Sequence, residues 1–232
     1  MWQSTRRYRQ YYATIRRSAV LTIHHLGKSQ SERIVWLCEE LAIPYELKVY
    51  DRDAATMLAP ADYKALHPIG AAPVITEGDL ILAESEAIID YIIARHGGGR
   101  LALSANDEAF PDYLYWYHFT NGTLQPSISR NMIIKWGGID DASPISEAMR
   151  QRTDTALKMV DQRIADRPFL AGDAFTAADI MIVFSLTTMR YFIPFELTPY
   201  PAILAYLKRI SSRPAYHAAM AKGDPGMPLL LD

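Results

Sequence analysis

Cysteine is almost absent from this chain: 232 residues contain one, Cys38. A single cysteine excludes an internal disulfide and a thiolate metal cluster. It fits a reducing compartment, and a cytoplasmic location is expected. Long apolar runs are missing too. None approaches the roughly 18 residues needed to span a bilayer, so no membrane segment is expected. Charge of one sign does not accumulate, the net charge being −2, and the body carries no basic block of the kind that marks a nucleic-acid partner. Histidines are few, and the adjacent pair His24 and His25 falls in a strand pattern that sends neighbours to opposite faces. No metal site is expected there, and no metal elsewhere.

Half of the residues are apolar, enough for one large core or two modest ones. The first 18 residues, "MWQSTRRYRQYYATIRRS", hold five arginines and no acid. They lack the apolar segment of a secretory signal and read as a poorly tied-down extension with no catalytic part. Residues 19–97 alternate strand and helix. "VLTIHHL" reads as a strand, and "SERIVWLCEEL" as a helix with Ile34, Leu37, Cys38 and Leu41 on one stripe. "IPYELKVY" is a second strand, "PADYKAL" a short helix, and a hairpin and helix follow. The order β-α-β-α-β-β-α makes a layered α/β domain. Residues 98–111 carry aperiodic Gly, Asn, Asp and Pro and read as a linker.

Residues 112–232 are helical in pattern. "DYLYWYHFTNGTLQPSISRNMII" reads as a long aromatic helix bent near Gly122 or Pro126. A second helix puts Ile145, Met149, Leu157, Val160 and Ile164 on its apolar side. "TAADIMIVFSLTTMRYF", apolar all round, is the expected buried central helix. It opens on Thr176-x-x-Asp179, a capping box with Asp in the usual place of Glu. "YPAILAYLKRIS" and "RPAYHAAMA" complete an all-α domain.

The most informative stretch is "GAAPVITEGDLILAESEAI", residues 70–88. Two apolar runs flank the turn "EGD" and form a hairpin. Helical spacing then starts at Ser85, which is a natural N-cap. A helix N-terminus attracts anions, and Glu84 beside it would hold an ammonium group. Together they suit a ligand end with a carboxylate and an amine on one carbon. The same residues also fit a plain cap and a solvated acid.

The sequence resembles the cytosolic (soluble) glutathione transferase family, in its serine-type bacterial and fungal branch. "HPIGAAPVI" resembles the loop whose cis-proline, here Pro73, precedes the third strand. "AESEAI" resembles the acid-serine motif that grips the γ-glutamyl end of glutathione. "FLAGDAFTAADI" and "RISSRPAYHAA" resemble the central-helix signature and the usual ending. The resemblance implies a thioredoxin-like N-terminal domain, an all-α C-terminal domain and a homodimer. Glutathione would be a co-substrate, with no resident cofactor. It also implies that Glu84 takes the α-ammonium, that Ser85 takes the α-carboxylate, and that the backbone of Ala72 pairs with the cysteinyl unit as an added strand. The polar residue often found two before the cis-proline is here Ala71, so Lys64 and His67 become candidates for the glycine carboxylate.

Glutathione chemistry needs a thiolate, whereas an ordinary thiol has a pKa of about 8.5. The family places a Tyr, Ser or Cys between the first strand and first helix. In "HHLGKSQSER" the candidates are Ser29, four before Arg33, and Ser31. Ser29-x-x-Glu32 can equally be a capping box. Cys38, on the apolar stripe, reads as core. Tyr117, Asn121 and Gln125 share a helix face that would line a second-substrate pocket for a small apolar electrophile, or else form core or a dimer contact. The function implied is glutathione conjugation. Glutathione-dependent peroxidase activity and a non-catalytic binding or assembly module of the same fold are the alternatives.

Overall fold

The computed structural model describes residues 20–232. The basic extension expected over residues 1–18 lies outside the described residues. β1 (Thr22–Leu26) is buried along nearly its whole length because it sits inside a four-stranded sheet of order β2-β1-β3-β4. β2 (Glu46–Tyr50) runs parallel to it, with His24 opposite Lys48. β3 (Val74–Glu77) runs antiparallel on its other side, with His24 opposite Val74. β4 (Leu80–Ala83) closes the hairpin onto β3 around a turn at Gly78, whose φ of 59° is one that glycine adopts without strain.

Helix α1 (Glu32–Leu41) links β1 to β2, and α2 (Ala61–Lys64) is a single turn before the hairpin. The expected stripe of α1 is buried: Ile34, Leu37 and Cys38 are fully covered and Leu41 nearly so. Burial extends around the helix to Arg33, Val35 and Trp36. The reason is position. α1 lies between the sheet and the helical domain and touches both, so it has little solvent face. Burial pushes the Cys38 thiol up to about 12, which leaves it an inert core group.

Helix α3 (Ser85–Arg95) follows β4 directly. The N-cap position belongs to Glu84 rather than to Ser85 as expected, and Ser85 is the first helical residue. Glu84 has φ 74° and ψ 124°, a conformation uncommon for a residue with a side chain. That bend turns the chain from strand to helix within one residue.

The helical domain begins at α4 (Phe110–Phe119) and α5 (Gln125–Trp136). A π turn over Thr120–Leu124 joins them, with helical backbone on both sides, so the aromatic segment continues through Gly122 with one widened turn. α6 (Pro144–Ile164) buries Thr153, Leu157, Val160 and Ile164. Ile145, expected on the buried side, is 52% exposed, and the residue that this first turn of α6 buries is Ser146. α7 (Ala177–Leu186) is buried at every residue and has the expected Thr176–Asp179 capping box. α8 (Pro201–Ile210) and α9 (Pro214–Gly223) complete the domain. The main apolar core runs without a break from Ile23 and Ile75 in the sheet, through α1, to Ile180 and Val183 in α7. A smaller cluster of Leu26, Tyr50, Tyr63 and Val74 covers the other side of the sheet. No helix among the described residues is long and apolar enough to cross a membrane.

Candidate active site

A cleft of about 780 Å³ opens between the α/β domain and the helical domain, within the range typical of small-molecule sites. Its α/β wall carries Lys28, Ser29, Gln30, Arg52 and Lys64 among apolar residues such as Leu26, Met57, Leu58 and Ala72. The opposite wall is mostly apolar, with Met132, Trp136, Phe184 and Tyr191 beside Gln125. Among the described residues, no group of three or more His, Cys, Asp and Glu side chains could hold a metal ion.

The two candidate serines occupy different environments. Ser29 lines the cleft. Its Oγ lies 2.7 Å from Ser31 Oγ and accepts from the Ser31 N–H at 3.3 Å. Ser31 is fully buried. Its Oγ accepts from the Leu26 N–H at 3.1 Å and lies 3.0 Å from His25 Nδ1. The alternative reading of Ser29–Glu32 as a capping box is not met. Ser31 occupies the cap position of α1 without a side-chain cap bond, and the first turn closes through backbone, Glu32 N–H donating to Ser29 C=O at 3.1 Å.

Neither Glu84 nor Ser85 lines the cleft; Ser85 is joined to the lining residue Gln30 by a hydrogen bond. Ser85 Oγ donates to Gln30 Oε1 at 3.4 Å and accepts from Arg33 Nη1 at 3.3 Å. Ser85 is buried, whereas Glu84 is exposed. Behind them Arg33 is completely buried. Its guanidinium donates to Gln30 Oε1 at 2.8 Å, Asn121 Oδ1 at 3.4 Å and Gln125 Oε1 at 2.8 Å. All of these acceptors are neutral, and burial lowers the Arg33 pKa to about 10. The neighbouring Glu32 carboxyl is pushed up to about 8, also by burial.

Ala72 lines the cleft next to a cis Ala72–Pro73 bond. The Ala72 N–H and C=O make no hydrogen bond to other described backbone. Lys64 lines the cleft, but His67 does not: its Nδ1 accepts from the Ile69 N–H at 3.3 Å. The three candidates for the second-substrate wall also separate. Gln125 lines the cleft. Tyr117 is 2% exposed and turns toward α3, donating to Glu86 C=O at 3.0 Å and Asp90 Oδ1 at 3.1 Å. Asn121 is taken up by Arg33 and is not part of the lining. Tyr117 lies before the π turn, whereas Asn121 on it and Gln125 after it both meet the Arg33 guanidinium.

Sequence reasoning missed Gln30, Lys28 and Arg52, which line the cleft, and used Arg33 only as a spacing marker. Arg52 spends its donors on the carbonyls of Gly27, Lys28 and Met57 and so braces the loop that carries Ser29. Arg33 could have been singled out, since a cation next to Ile34 on the buried stripe needs an explanation.

Comparison with known proteins adds the family. The glutathione S-transferase N-terminal domain model matches residues 29–95, and the C-terminal domain model matches residues 140–214. A crystal structure of a glutathione S-transferase from Actinobacillus pleuropneumoniae is 32% identical, with a TM-score of 0.80, covering 88% of this chain and 93% of that one. Glutathione S-transferase 3 of Schizosaccharomyces pombe is 29% identical over 218 residues, 88% of each chain. A sphingomonad glutathione S-transferase, solved complexed with glutathione, shares the fold at a TM-score of 0.69 and 21% identity, covering 87% of this chain and 98% of that one. Both domain models match in order, and the 32%-identical relative aligns over nearly its full length: the chain belongs to the glutathione S-transferase family.

Proposed function

We propose that the protein is a glutathione transferase that binds glutathione in the interdomain cleft and presents its thiolate to a small apolar electrophile. The observation that carries this reading is the position of Ser29. Of the two candidate hydroxyls it is the one that lines the cleft, and it stands where α1 begins. A hydroxyl hydrogen bond and the partial positive charge of a helix start both favour a thiolate over a thiol. Ser85 at the start of α3 suits the γ-glutamyl carboxylate, and the exposed Glu84 suits its ammonium. The unpaired backbone of Ala72 suits the cysteinyl unit, and Lys64 suits the glycine carboxylate. Lys28 and Arg52 add positive charge beside an anionic ligand. The apolar wall of Phe184, Trp136 and Tyr191 receives the electrophile. Assembly as a homodimer and a cytoplasmic location belong to the same reading.

Calorimetry with glutathione, followed by turnover assays with aromatic electrophiles and with hydroperoxides, tests it. Micromolar to millimolar binding with thioether formation is the expected result. Turnover of hydroperoxides alone would make the protein a peroxidase. Binding without turnover would make it a glutathione-binding module.

A further inference from the structure

Ser29 is not an isolated hydroxyl. A continuous chain of hydrogen-bonded side chains runs from it into the protein. Ser29 Oγ lies 2.7 Å from Ser31 Oγ, Ser31 Oγ 3.0 Å from His25 Nδ1, and His25 Nε2 3.1 Å from Asp224 Oδ2. The other Asp224 oxygen accepts from the Lys28 N–H at 2.9 Å, on the loop that leads to Ser29. Four residues from β1, the loop after it and the end of α9 therefore form one path that opens into the cleft only at Ser29. His25 and Ser31 are fully buried. Gly223 is what lets α9 come this close, since a Cβ there would stand 3.0 Å from His25 Nε2.

The protons on this path are fixed by its ends. Asp224 accepts only, so His25 carries its proton on Nε2 and offers the Nδ1 lone pair inward. Ser31 then donates to Nδ1 at 3.0 Å, the nearer of its acceptors, the other being the Leu26 C=O at 3.4 Å. Its two lone pairs receive the Leu26 N–H and the Ser29 hydroxyl proton. In this state the Ser29 proton points away from the cleft, and a thiol there meets an acceptor. The mirror arrangement is equally complete. With His25 protonated on both nitrogens, Nδ1–H donates to Ser31, Ser31 donates to Ser29, and the Ser29 proton points into the cleft.

We propose that Ser29, Ser31 and His25 form a proton relay, oriented by Asp224, that takes up the thiol proton of glutathione as the thiolate forms. This rests on the reading of the cleft as a glutathione site. The thiol S–H bond breaks and its proton passes to Ser29 Oγ. The Ser29 proton passes to Ser31 Oγ, and the Ser31 proton to His25 Nδ1. No electrons change hands, and the products are a thiolate and an imidazolium. The new Ser29 proton now donates to the sulfur, so the same transfer that forms the thiolate creates the hydrogen bond that holds it. Asp224 offsets the buried imidazolium charge as its ion-pair partner. The other ionisable groups around Asp224 are Glu32 on α1, whose carboxyl burial pushes up to about 8, and Arg52 after β2. Ser31 and His25 touch no substrate atom in this scheme. They act through Ser29.

Nitrogen NMR of ring-labelled histidine in the full chain tests the relay. Spectra are taken at neutral pH without ligand, with glutathione, and with S-methylglutathione, which has no thiol proton to give. The expected result is that His25 changes from the Nε2–H form to imidazolium with glutathione and stays unchanged with S-methylglutathione. In Ser31→Ala glutathione should still bind, the ring should stay neutral, and about tenfold less thiolate should form at neutral pH, equivalent to one pH unit. Asp224→Asn provides a second variant that keeps the shape of the path and should give the same loss. Thiolate formation in the wild type with an unchanged His25 ring overturns the relay, as does a Ser31→Ala thiolate titration that superimposes on the wild type. Failure of both ligands to bind overturns the glutathione reading itself and the relay with it.

Discussion

Arg33 of α1 and Gln125 of α5 join the two domains: Arg33 Nη2 donates to Gln125 Oε1 at 2.8 Å. The same guanidinium holds Gln30 and Ser85 on the α/β side and Asn121 on the helical side. Its planar fork meets acceptors in several directions, which a lysine cannot reproduce. Arg33→Lys should lower stability by about 2 kcal/mol, the scale of losing buried hydrogen bonds to a charged group. Urea unfolding measures this. A change within about 0.5 kcal/mol would mean the bridge carries little.

Asp179 is the second buried junction. Its carboxylate accepts from the N–H groups of Leu170 and Thr176 and from the Tyr206 hydroxyl, each at about 3 Å. Burial raises its pKa to about 6 despite these donors. Asp179→Ala leaves several buried donors unsatisfied and should cost about 3 kcal/mol or more, at about 1–3 kcal/mol for each orphaned group. The expected readout is a large fall in the unfolding midpoint or in the yield of folded protein. Normal stability would contradict this account of α7.

Glu32 makes stability depend on pH. Its folded pKa is raised from 4.5 to about 8 by burial, so the fold holds a proton that the unfolded chain has lost. Stability contributed by this group is therefore full below about 4.5 and falls as pH rises toward about 8. The total is on the order of a few kcal/mol. Glu32→Gln should flatten the unfolding free energy between pH 6 and 8.5, roughly the upper part of that window. An identical slope in wild type and variant would assign the dependence to another group.

Much of this was legible in the sequence, for identifiable reasons. The β-α-β order, the hairpin turn at Gly78 and the Thr176–Asp179 box are local patterns, and local patterns carry their own physics. Cys38 was readable as core because it repeats at helical spacing with Ile34 and Leu41. Tyr117 and Asn121 were not, because their partners, Glu86 on α3 and Arg33 on α1, are distant in sequence and met only through packing. Ser85 was taken for the cap because a serine fits the cap, whereas the backbone gives that position to Glu84 with its positive φ. The path from Ser29 to Asp224 was invisible, since His25 and Asp224 are 199 positions apart and only the packing of α9 against β1 and α1 brings them together.

Glu84 is exposed and stands outside the core. Removing its carboxylate takes away the proposed partner of the glutathione ammonium. Glu84→Ala should weaken glutathione binding about ten- to a hundredfold, the scale of a charge-assisted hydrogen bond. Calorimetry on a variant with wild-type stability checks it. Unchanged affinity would move the γ-glutamyl end elsewhere.

The claim that Ser29 sets the ionisation of bound glutathione is met most directly by thiolate ultraviolet absorbance of the complex, followed against pH in wild type and Ser29→Ala. The variant loses the hydrogen bond to sulfur and keeps the helix start, so the loss should be partial. The thiolate curve should move up by about one to two pH units, each unit being 1.36 kcal/mol, while glutathione affinity should change little because the proposed grip lies at Glu84 and Ser85. A Ser29→Ala curve that superimposes on the wild type, with glutathione bound, would contradict the account.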